Sequence, residues 1–436
     1  MYLLISLIRL LTQFFLNFPL LSITVEDPWH CGQFKEGHSS ILLSHEGTIN
    51  NEISCIDDIG LFTREIEHAA SCILEQKIES LLISHAETQS NMFWLDRWRN
   101  EIGIECPRSF VQHSPILKSQ AYLSQDPKLQ SINLPGLDKI GSRLAIGCDN
   151  QTSDLHAFTM FDHFYGSGGR IFDTAYIYNH GMGDKYLGDW INARQVEEDV
   201  VVLGKAAHTP ECDPKYIRPQ VLESLERLQI PQLDIFCLHR DNLDIPVGEF
   251  VDALAEIKNE GLINLIGASN WEMERFSKAR NYAAENGREP FTVLSNNFSL
   301  AEMIEPVWPG CVGVNDDFLE YLIEEEIMLF PWSSQARGFF IKKKEVISSE
   351  HFSNPTLDEE MRVWHYEKNL KRRQACFDLA DQRNVQPIQI ALAYVLHKSN
   401  LIFPLIGPRS ISESNSSIQA TRIELTTAEL QALAQD

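Results

Sequence analysis

A chain of 436 residues with 37 Lys and Arg against 61 Asp and Glu carries a formal net charge of -24. Such a surface repels a polyanionic backbone and excludes nucleic acid as a partner, although a helix N-terminus with one or two basic side chains can still hold a phosphate locally. The length accommodates one full α/β barrel of about 250 residues beside a smaller module; the nine cysteines are scattered with no CxxC pair, which suits the reducing cytoplasm.

Residues 1–23 are mostly apolar but are interrupted by Arg9, Gln13, Asn17 and Pro19. A run of about 20 apolar residues can span a bilayer, yet Arg9 near its middle would cost roughly 2.5 to 3.5 kcal/mol on insertion. No small-x-small cleavage site follows, so a buried or irregular start ranks above a membrane anchor, and a secretory signal ranks last. Residues 24–106 predict a small α+β module. It has β-like runs at Ser40–Leu43 and Glu52–Cys55 and a helix over Thr63–Gln76, which Thr63 can cap and which repeats Ile66, Ala69, Ala70, Ile73 and Leu74. A second helix over Glu87–Ile102 places Met92, Leu95, Trp98 and Ile102 on one stripe. The Ser-, Gln-, Pro- and Lys-rich stretch within 107–133 reads as a linker.

From Leu134 onward strands and helices alternate. Strands are expected near 143–148, 170–174, 199–205, 233–239, 263–269, 292–297, 327–333 and 402–407. Helices are expected over Tyr216–Leu228, Val247–Glu260, Trp271–Asn286, Asp316–Glu326, Leu370–Arg383 and Pro387–His397. Right-handed parallel connections then close a (β/α)8 TIM barrel over residues 134–433. The polar segment Ile341–Asn369 is a candidate loop over the barrel mouth.

Four strand ends carry reactive groups: Asp173 and Tyr178 after Gly169-Arg170-Ile171-Phe172, Lys205 after Val200–Gly204, His239 after Leu233–Leu238, and Ser269-Asn270 after Leu265–Ala268. The carboxyl ends of parallel barrel strands are where barrel active sites lie. Asp173, Tyr178, Lys205 and His239 are the residue types that reduce a carbonyl with a hydride donor. A phenol of pKa about 10 is a weak acid at neutral pH, and an ammonium such as Lys205 beside it lowers that value. Asp173 would pair Lys205, and His239 would direct the substrate oxygen toward the phenol. Taken singly, Asp173 could cap a helix, Tyr178 could pack on one, Lys205 could be solvated and His239 could be a core histidine. It is the four together, in order, that point to chemistry. Tyr176 competes with Tyr178 as the proton donor. No HExxH or HxH occurs, so no metal is expected.

From Leu134 to Leu433 the chain resembles an aldo-keto reductase, through Gly169, Arg170, Asp173-Thr174-Ala175 and Tyr178. The resemblance implies that Tyr178 is the proton donor, that Asp173, Lys205 and His239 complete a catalytic tetrad, and that the cofactor is a nicotinamide dinucleotide, usually NADPH. It further implies that Ser269 and Asn270 bond the carboxamide and that Trp332 stacks on the nicotinamide ring, with Ser333, Gln335 and Arg337 beside it. Gly407, Arg409 and Ser410 would form a phosphate-binding turn. Two departures stand out. Ser295 occupies the place of the family's glutamine, and Glu413, Ser416 and Ser417 replace its Gln and Glu-Asn. A carboxylate at Glu413 beside a 2′-phosphate would be repulsive, which keeps NADH open as the alternative cofactor.

Asp27-Pro28-Trp29-His30, Phe62–His68, Asn91-Met92, Leu95–Arg99 and Ile102-Gly103 resemble the C-terminal end of the Gfo/Idh/MocA oxidoreductases. No GxGxxG precedes Trp29, so the expectation is a fusion of two oxidoreductases that lacks the first one's nucleotide domain. The expected activity is NADPH-preferring reduction of an aldehyde, ketone or sugar carbonyl in a small molecule. A nucleotide-binding redox sensor or scaffold is one alternative, and a metal-dependent hydrolase using Asp173 and His239 as ligands is another. Trp271, Trp308, Arg337, Phe339 and the 341–369 segment are expected pocket walls. The first module's apolar face could be buried on the barrel or on a second copy of the chain, which makes a homo-oligomer a candidate.

Overall fold

The computed structural model describes residues 128–341, 359 and 361–434, and within the first 106 residues 13–17, 21–26, 38–45, 48–56, 63–75, 77, 80 and 84–101. The chain divides into two compact units, Met1–Cys106 and Pro107–Asp436.

The first unit contains a four-stranded antiparallel sheet, β1 (Gln13–Asn17), β2 (Leu21–Glu26), β3 (His38–His45) and β4 (Thr48–Ile56), paired in chain order. Part of the apolar opening is therefore strand, not an irregular start. Phe14, Phe15 and Leu16 pair with Val25, Thr24 and Ile23, so the backbone polar groups of a β-favouring run are satisfied by a neighbour of the same kind. Helix α1 (Thr63–Leu74) follows, then α2 (His85–Glu101). The second begins two residues before its expected start because Ser84 and Glu87 cap it reciprocally, with Glu87 N–H donating to Ser84 Oγ at 3.2 Å and Ser84 N–H to Glu87 Oε2 at 2.8 Å. The stripe of α1 is exposed, Ile73 at 75 % and Leu74 at 84 %. The expected positions of Trp29 and Ile102, and residues 107–127 of the linker, lie outside the described residues.

In the second unit eight parallel strands form one curled sheet: β7 (Ala145–Gly147), β8 (Ile171–Asp173), β9 (Val201–Ala206), β10 (Leu233–Leu238), β11 (Ile263–Ala268), β12 (Val293–Leu294), β13 (Met328–Leu329) and β14 (Leu405–Ile406). The edges meet: Phe403 N–H donates to Leu329 O at 2.8 Å and Leu405 N–H to Pro331 O at 3.0 Å. This is the α/β arrangement of a (β/α)8 barrel. Both faces of each strand are buried, as a parallel sheet requires. Ile171, Val201, Leu203, Ile235, Cys237, Leu265, Val293 and Phe330 fill the interior. Their neighbours Phe172, Val202, Phe236, Ile266 and Leu294 point outward into the larger core beneath the helices.

A hairpin of β5 (Ser131–Asn133) and β6 (Ile140–Ser142) precedes the barrel, and Leu134 packs into the interior cluster. Residues 131–133, expected in the linker, thus form a strand whose Ile132 packs against the interior cluster. Six helices lie close to the expected ranges: α5 (Pro214–Leu228), α6 (Val247–Asn259), α7 (Met273–Glu285), α8 (Asp316–Glu324), α9 (Glu367–Arg383) and α10 (Pro387–Leu396); α3 (Asp154–Gly166), α4 (Met182–Arg194), α11 (Ile411–Ala420) and α12 (Thr427–Leu433) have no expected range. Gly267 allows β11 and β12 to approach, since a Cβ there would lie 2.1 Å from Val293 O.

The end of the 341–369 segment is not an open loop. Val363 and Trp364 are buried, and the buried Asn369 amide donates to Glu302 O and Trp364 O while its oxygen accepts Glu302 N–H. Residues 342–358 lie outside the described residues. Among the described residues no helix is long and apolar enough to cross a membrane.

Candidate active site

The turn into β8 needs glycine. Gly168 has φ +96°, and a Cβ on Gly169 would lie 2.3 Å from the Phe164 ring. Beyond Asp173 the chain is held against β9, with Thr174 N–H donating to Leu203 O and Tyr176 N–H to Lys205 O, both at 2.8 Å. A bond from Tyr178 N–H to Ala175 O at 2.9 Å then turns the phenol inward. Asn179, His180 and Gly181 follow at φ 50°, 56° and 86°, a left-handed run that delivers the chain to the start of α4.

The four strand-end residues come together. Lys205 donates to the Asp173 carboxylate, and its Nζ also reaches Thr174 O at 3.2 Å. The same Nζ lies 5.0 Å from the centre of the Tyr178 ring, and that ring meets His239 edge to face at 5.7 Å. Tyr176 points elsewhere: its hydroxyl donates to Glu223 at 3.0 Å and its ring lies under Arg227. The Asp173 carboxylate is engaged by Lys205, which removes it from the ligand role that the hydrolase reading needs.

Protonation states follow from burial. The Tyr178 phenol is pushed well above its ordinary value by burial, with the Asp173 and Asp149 carboxylates adding to the shift and Arg240 opposing it. The expected lowering by Lys205 is not what the structure gives, because that ammonium is committed to Asp173 and desolvation dominates. Burial likewise raises Asp173 to about 6 despite Lys205. It pushes His239 well below the usual imidazole range, helped by Lys205, Arg240 and His208. His239 Nδ1 is buried without a partner, so the neutral ring carries its proton on Nε2, since a buried orphan N–H is rarer than a buried orphan acceptor.

Sequence reasoning missed several neighbours. Asp149, His208 and Arg240 each lie two residues past the end of a strand, β7, β9 and β10. Testing each position just beyond a strand end would have found them. Arg240 is 6 % exposed and donates to His239 O at 3.0 Å and toward Cys311 Sγ at 3.5 Å. Asp184 has no local signal. Its buried carboxylate accepts Thr174 Oγ1 at 2.6 Å and Ser224 Oγ at 2.8 Å, fixing the residue next to Asp173.

Of the residues expected to hold a cofactor, Asn270 touches this centre and the others follow the ends of β11 to β14. Ser269 Oγ donates to Ser295 O at 2.5 Å. Asn270, left-handed at φ 61°, donates to Ser269 Oγ at 2.9 Å and His239 O at 3.2 Å. Ser295 Oγ donates to Phe330 O at 2.9 Å, so all three side chains bond within the protein. Trp332 is half-buried with its Nε1 unpartnered, and its ring lies 6.2 Å from that of Trp308. Ser333 follows at φ 49°, Gln335 accepts Ser417 Oγ at 3.4 Å, and Arg337 pairs Glu359 at 2.5 Å. Gly407 O accepts Asn150 Nδ2 at 2.9 Å. Ser410 caps α11, and Glu413 accepts Arg409 N–H at 2.7 Å, so this carboxylate serves the helix cap. A cleft of about 840 Å³ lies between the segments that follow β7 and β8 and the turn at Arg409, lined among others by Asp149, Asn150, His156, Asn179, His180 and Arg409. Two expected walls belong to the core instead: Trp271 and Phe339 are fully buried, Trp271 against Phe250 and Phe291.

A family model described as the aldo/keto reductase family matches residues 140–435. The chain belongs to the aldo/keto reductase family. It is 27% identical over 298 residues to a norsolorinic acid reductase of Aspergillus flavus, covering 65% of this chain and 71% of that protein. It is 25% identical over 337 residues to an aryl-alcohol dehydrogenase of Pestalotiopsis microspora, covering 74% and 82%. A norsolorinic acid reductase B of Aspergillus parasiticus is 26% identical over 291 residues, covering 64% and 73%. This aldo/keto reductase is accordingly an oxidoreductase that reduces carbonyl groups.

Proposed function

We propose that this reductase uses NADPH in preference to NADH to reduce the aldehyde or ketone carbonyl of a small molecule, with Tyr178 as proton donor. The observation that carries the reading is the stack of a buried Asp173–Lys205 pair beneath a protonated Tyr178 with neutral His239 against its edge. When bound, the nicotinamide supplies the hydride to the carbonyl carbon. Tyr178 Oη supplies the proton to the carbonyl oxygen, and His239 Nε2–H bonds that oxygen and orients it. Hydride and proton together make the alcohol. Lys205, held by Asp173, places positive charge beside the phenolate that remains.

Features of the molecule fit a dinucleotide. Trp332 offers a half-buried aromatic face at the end of β13, beside Ser333, Gln335 and Arg337. Arg409 and Ser410 stand at the N-terminus of α11, where backbone dipole and guanidinium both favour a phosphate. Because Glu413 takes the Arg409 amide, a 2′-phosphate here would be met by the exposed Arg409 guanidinium and not by that N–H. Ser269, Asn270 and Ser295 would line the carboxamide end, and Gly407 the phosphate turn. Fluorescence titration with NADPH and NADH, followed by oxidation of bound NADPH with an aldehyde panel, tests the reading. Binding without turnover would favour the sensor, and absence of binding would refute both.

For residues 24–106 we propose a module like the C-terminal end of a Gfo/Idh/MocA oxidoreductase within a cytoplasmic fusion protein. Its support is an antiparallel sheet followed by two helices, with Thr63–His68 opening α1 and Asn91 and Met92 on α2. Two nicotinamides bound per chain would refute it.

A further inference from the structure

Three rings stand in a row at the barrel mouth. Tyr178 and His239 are 5.7 Å apart, and His239 and His208 are 4.9 Å apart at 81°. His208 is half-buried and sits on a pinned loop. Ala207, left-handed at φ 59°, donates its N–H to Gln220 at 2.8 Å, Gln220 donates to Glu211 at 2.6 Å, and Glu211 N–H returns to His208 O at 2.8 Å. A side chain held this way is preorganised to recognise something.

The hydrogen bonding of His208 sets its tautomer. Nδ1 lies 2.8 Å from Thr209 O, and a carbonyl can only accept, so Nδ1 carries the proton and the neutral ring presents a lone pair at Nε2. No described residue bonds that Nε2. Burial, with the Arg240 guanidinium adding to it and the Thr209 bond opposing it, lowers the His208 pKa. The ring is therefore neutral, and an acceptor, at neutral pH.

His239 offers a donor and its neighbour an acceptor, which is the complement of a carbonyl oxygen flanked by a hydroxyl. We propose that His208 is a specificity-determining residue whose Nε2 accepts a hydrogen bond from a hydroxyl on the carbon next to the reacting carbonyl. This rests on the carbonyl-reducing reading of the same site. The hydroxyl donates to His208, the carbonyl oxygen accepts from His239 and Tyr178, and no covalent step involves His208. A site built around such an acceptor discriminates against the analogue that leaves it unpaired.

The test compares the full-length protein with its His208→Phe and His208→Gln variants, with NADPH, on 2-hydroxyacetophenone against acetophenone and on glyceraldehyde against propanal. Phenylalanine keeps a ring against His239 and removes the acceptor; glutamine restores an acceptor. The expected result is that His208→Phe loses at least tenfold more in kcat/KM on the hydroxylated member of each pair than on the deoxy member, and that His208→Gln partly restores this preference. Equal losses on both members would make His208 merely structural and overturn the proposal, as would a wild type that shows no advantage for the hydroxylated member. Absence of turnover by wild type on all four compounds would instead count against the reductase reading beneath it.

Discussion

Lys205 and Asp173 form an ion pair whose side chains are only 2 % and 3 % exposed, at the ends of adjacent barrel strands. Removing one partner of a buried pair strands the other charge, at a cost of about 3 to 5 kcal/mol. Lys205→Met and Asp173→Asn are therefore each expected to lower the free energy of unfolding by an amount of that order. The double variant should be destabilised by clearly less than the sum. Denaturant unfolding of all four proteins checks this, and strict additivity would contradict the coupling.

Acid behaviour separates two members of the same cluster. His239, depressed in the folded state, binds its proton more readily when unfolded, so its contribution makes stability fall as pH drops below about 6.5. Asp173, raised to about 6, binds its proton more readily when folded, so its contribution makes stability rise as pH drops from about 6 toward about 4. The two oppose each other in that window at up to about 1.4 kcal/mol per pH unit each. Asp173→Asn is expected to lose stability on acidification from pH 6 to 4 more steeply than wild type, and His239→Gln less steeply. Unfolding curves at several pH values read both slopes.

The meeting of β11 and β12 depends on the missing side chain at Gly267, where a Cβ would lie 2.1 Å from Val293 O. Backbone cannot retreat as a flexible side chain can. Gly267→Ala is expected to destabilise by about 1 to 3 kcal/mol or more and, because Ser269 and Ser295 lie just beyond the two strands, to weaken nicotinamide binding as well. Thermal unfolding and cofactor titration of the variant measure the two effects.

Much of this was readable in advance, and the exceptions have physical causes. All eight barrel strands were legible because each is a short apolar run buried on both faces, and five of them, β8 to β12, end at or next to a polar residue. Spacing alone could not choose between Tyr176 and Tyr178; the choice is made by a turn bond from Tyr178 to Ala175 and by Glu223 capturing Tyr176. Trp271 and Phe339 were misjudged as pocket walls because side-chain direction past a strand end depends on backbone that no local pattern reveals. Trp271 in fact donates its indole N–H to Arg240 O at 3.2 Å within the core. Asp184 acts across more than one element and leaves no periodic trace, and the opening strands were hidden because an apolar run without alternation reads equally as anchor or irregular start.

Arg409 is exposed at the N-terminus of α11 and has no carboxylate within ion-pair distance among the described residues. If it meets a 2′-phosphate, Arg409→Gln is expected to weaken NADPH binding about tenfold, a loss of about 1.4 kcal/mol, while NADH binding changes little. Parallel titrations measure the ratio. An equal loss for both nucleotides would place Arg409 at a group that they share.

The most direct test of the account is single-turnover oxidation of bound NADPH by an aldehyde in wild type and Tyr178→Phe. The account predicts that the variant binds NADPH as wild type does and reduces the aldehyde at least about a hundredfold more slowly, the scale of a lost general acid. Undiminished reduction by Tyr178→Phe would contradict it, because the proton would then come from some group other than Tyr178.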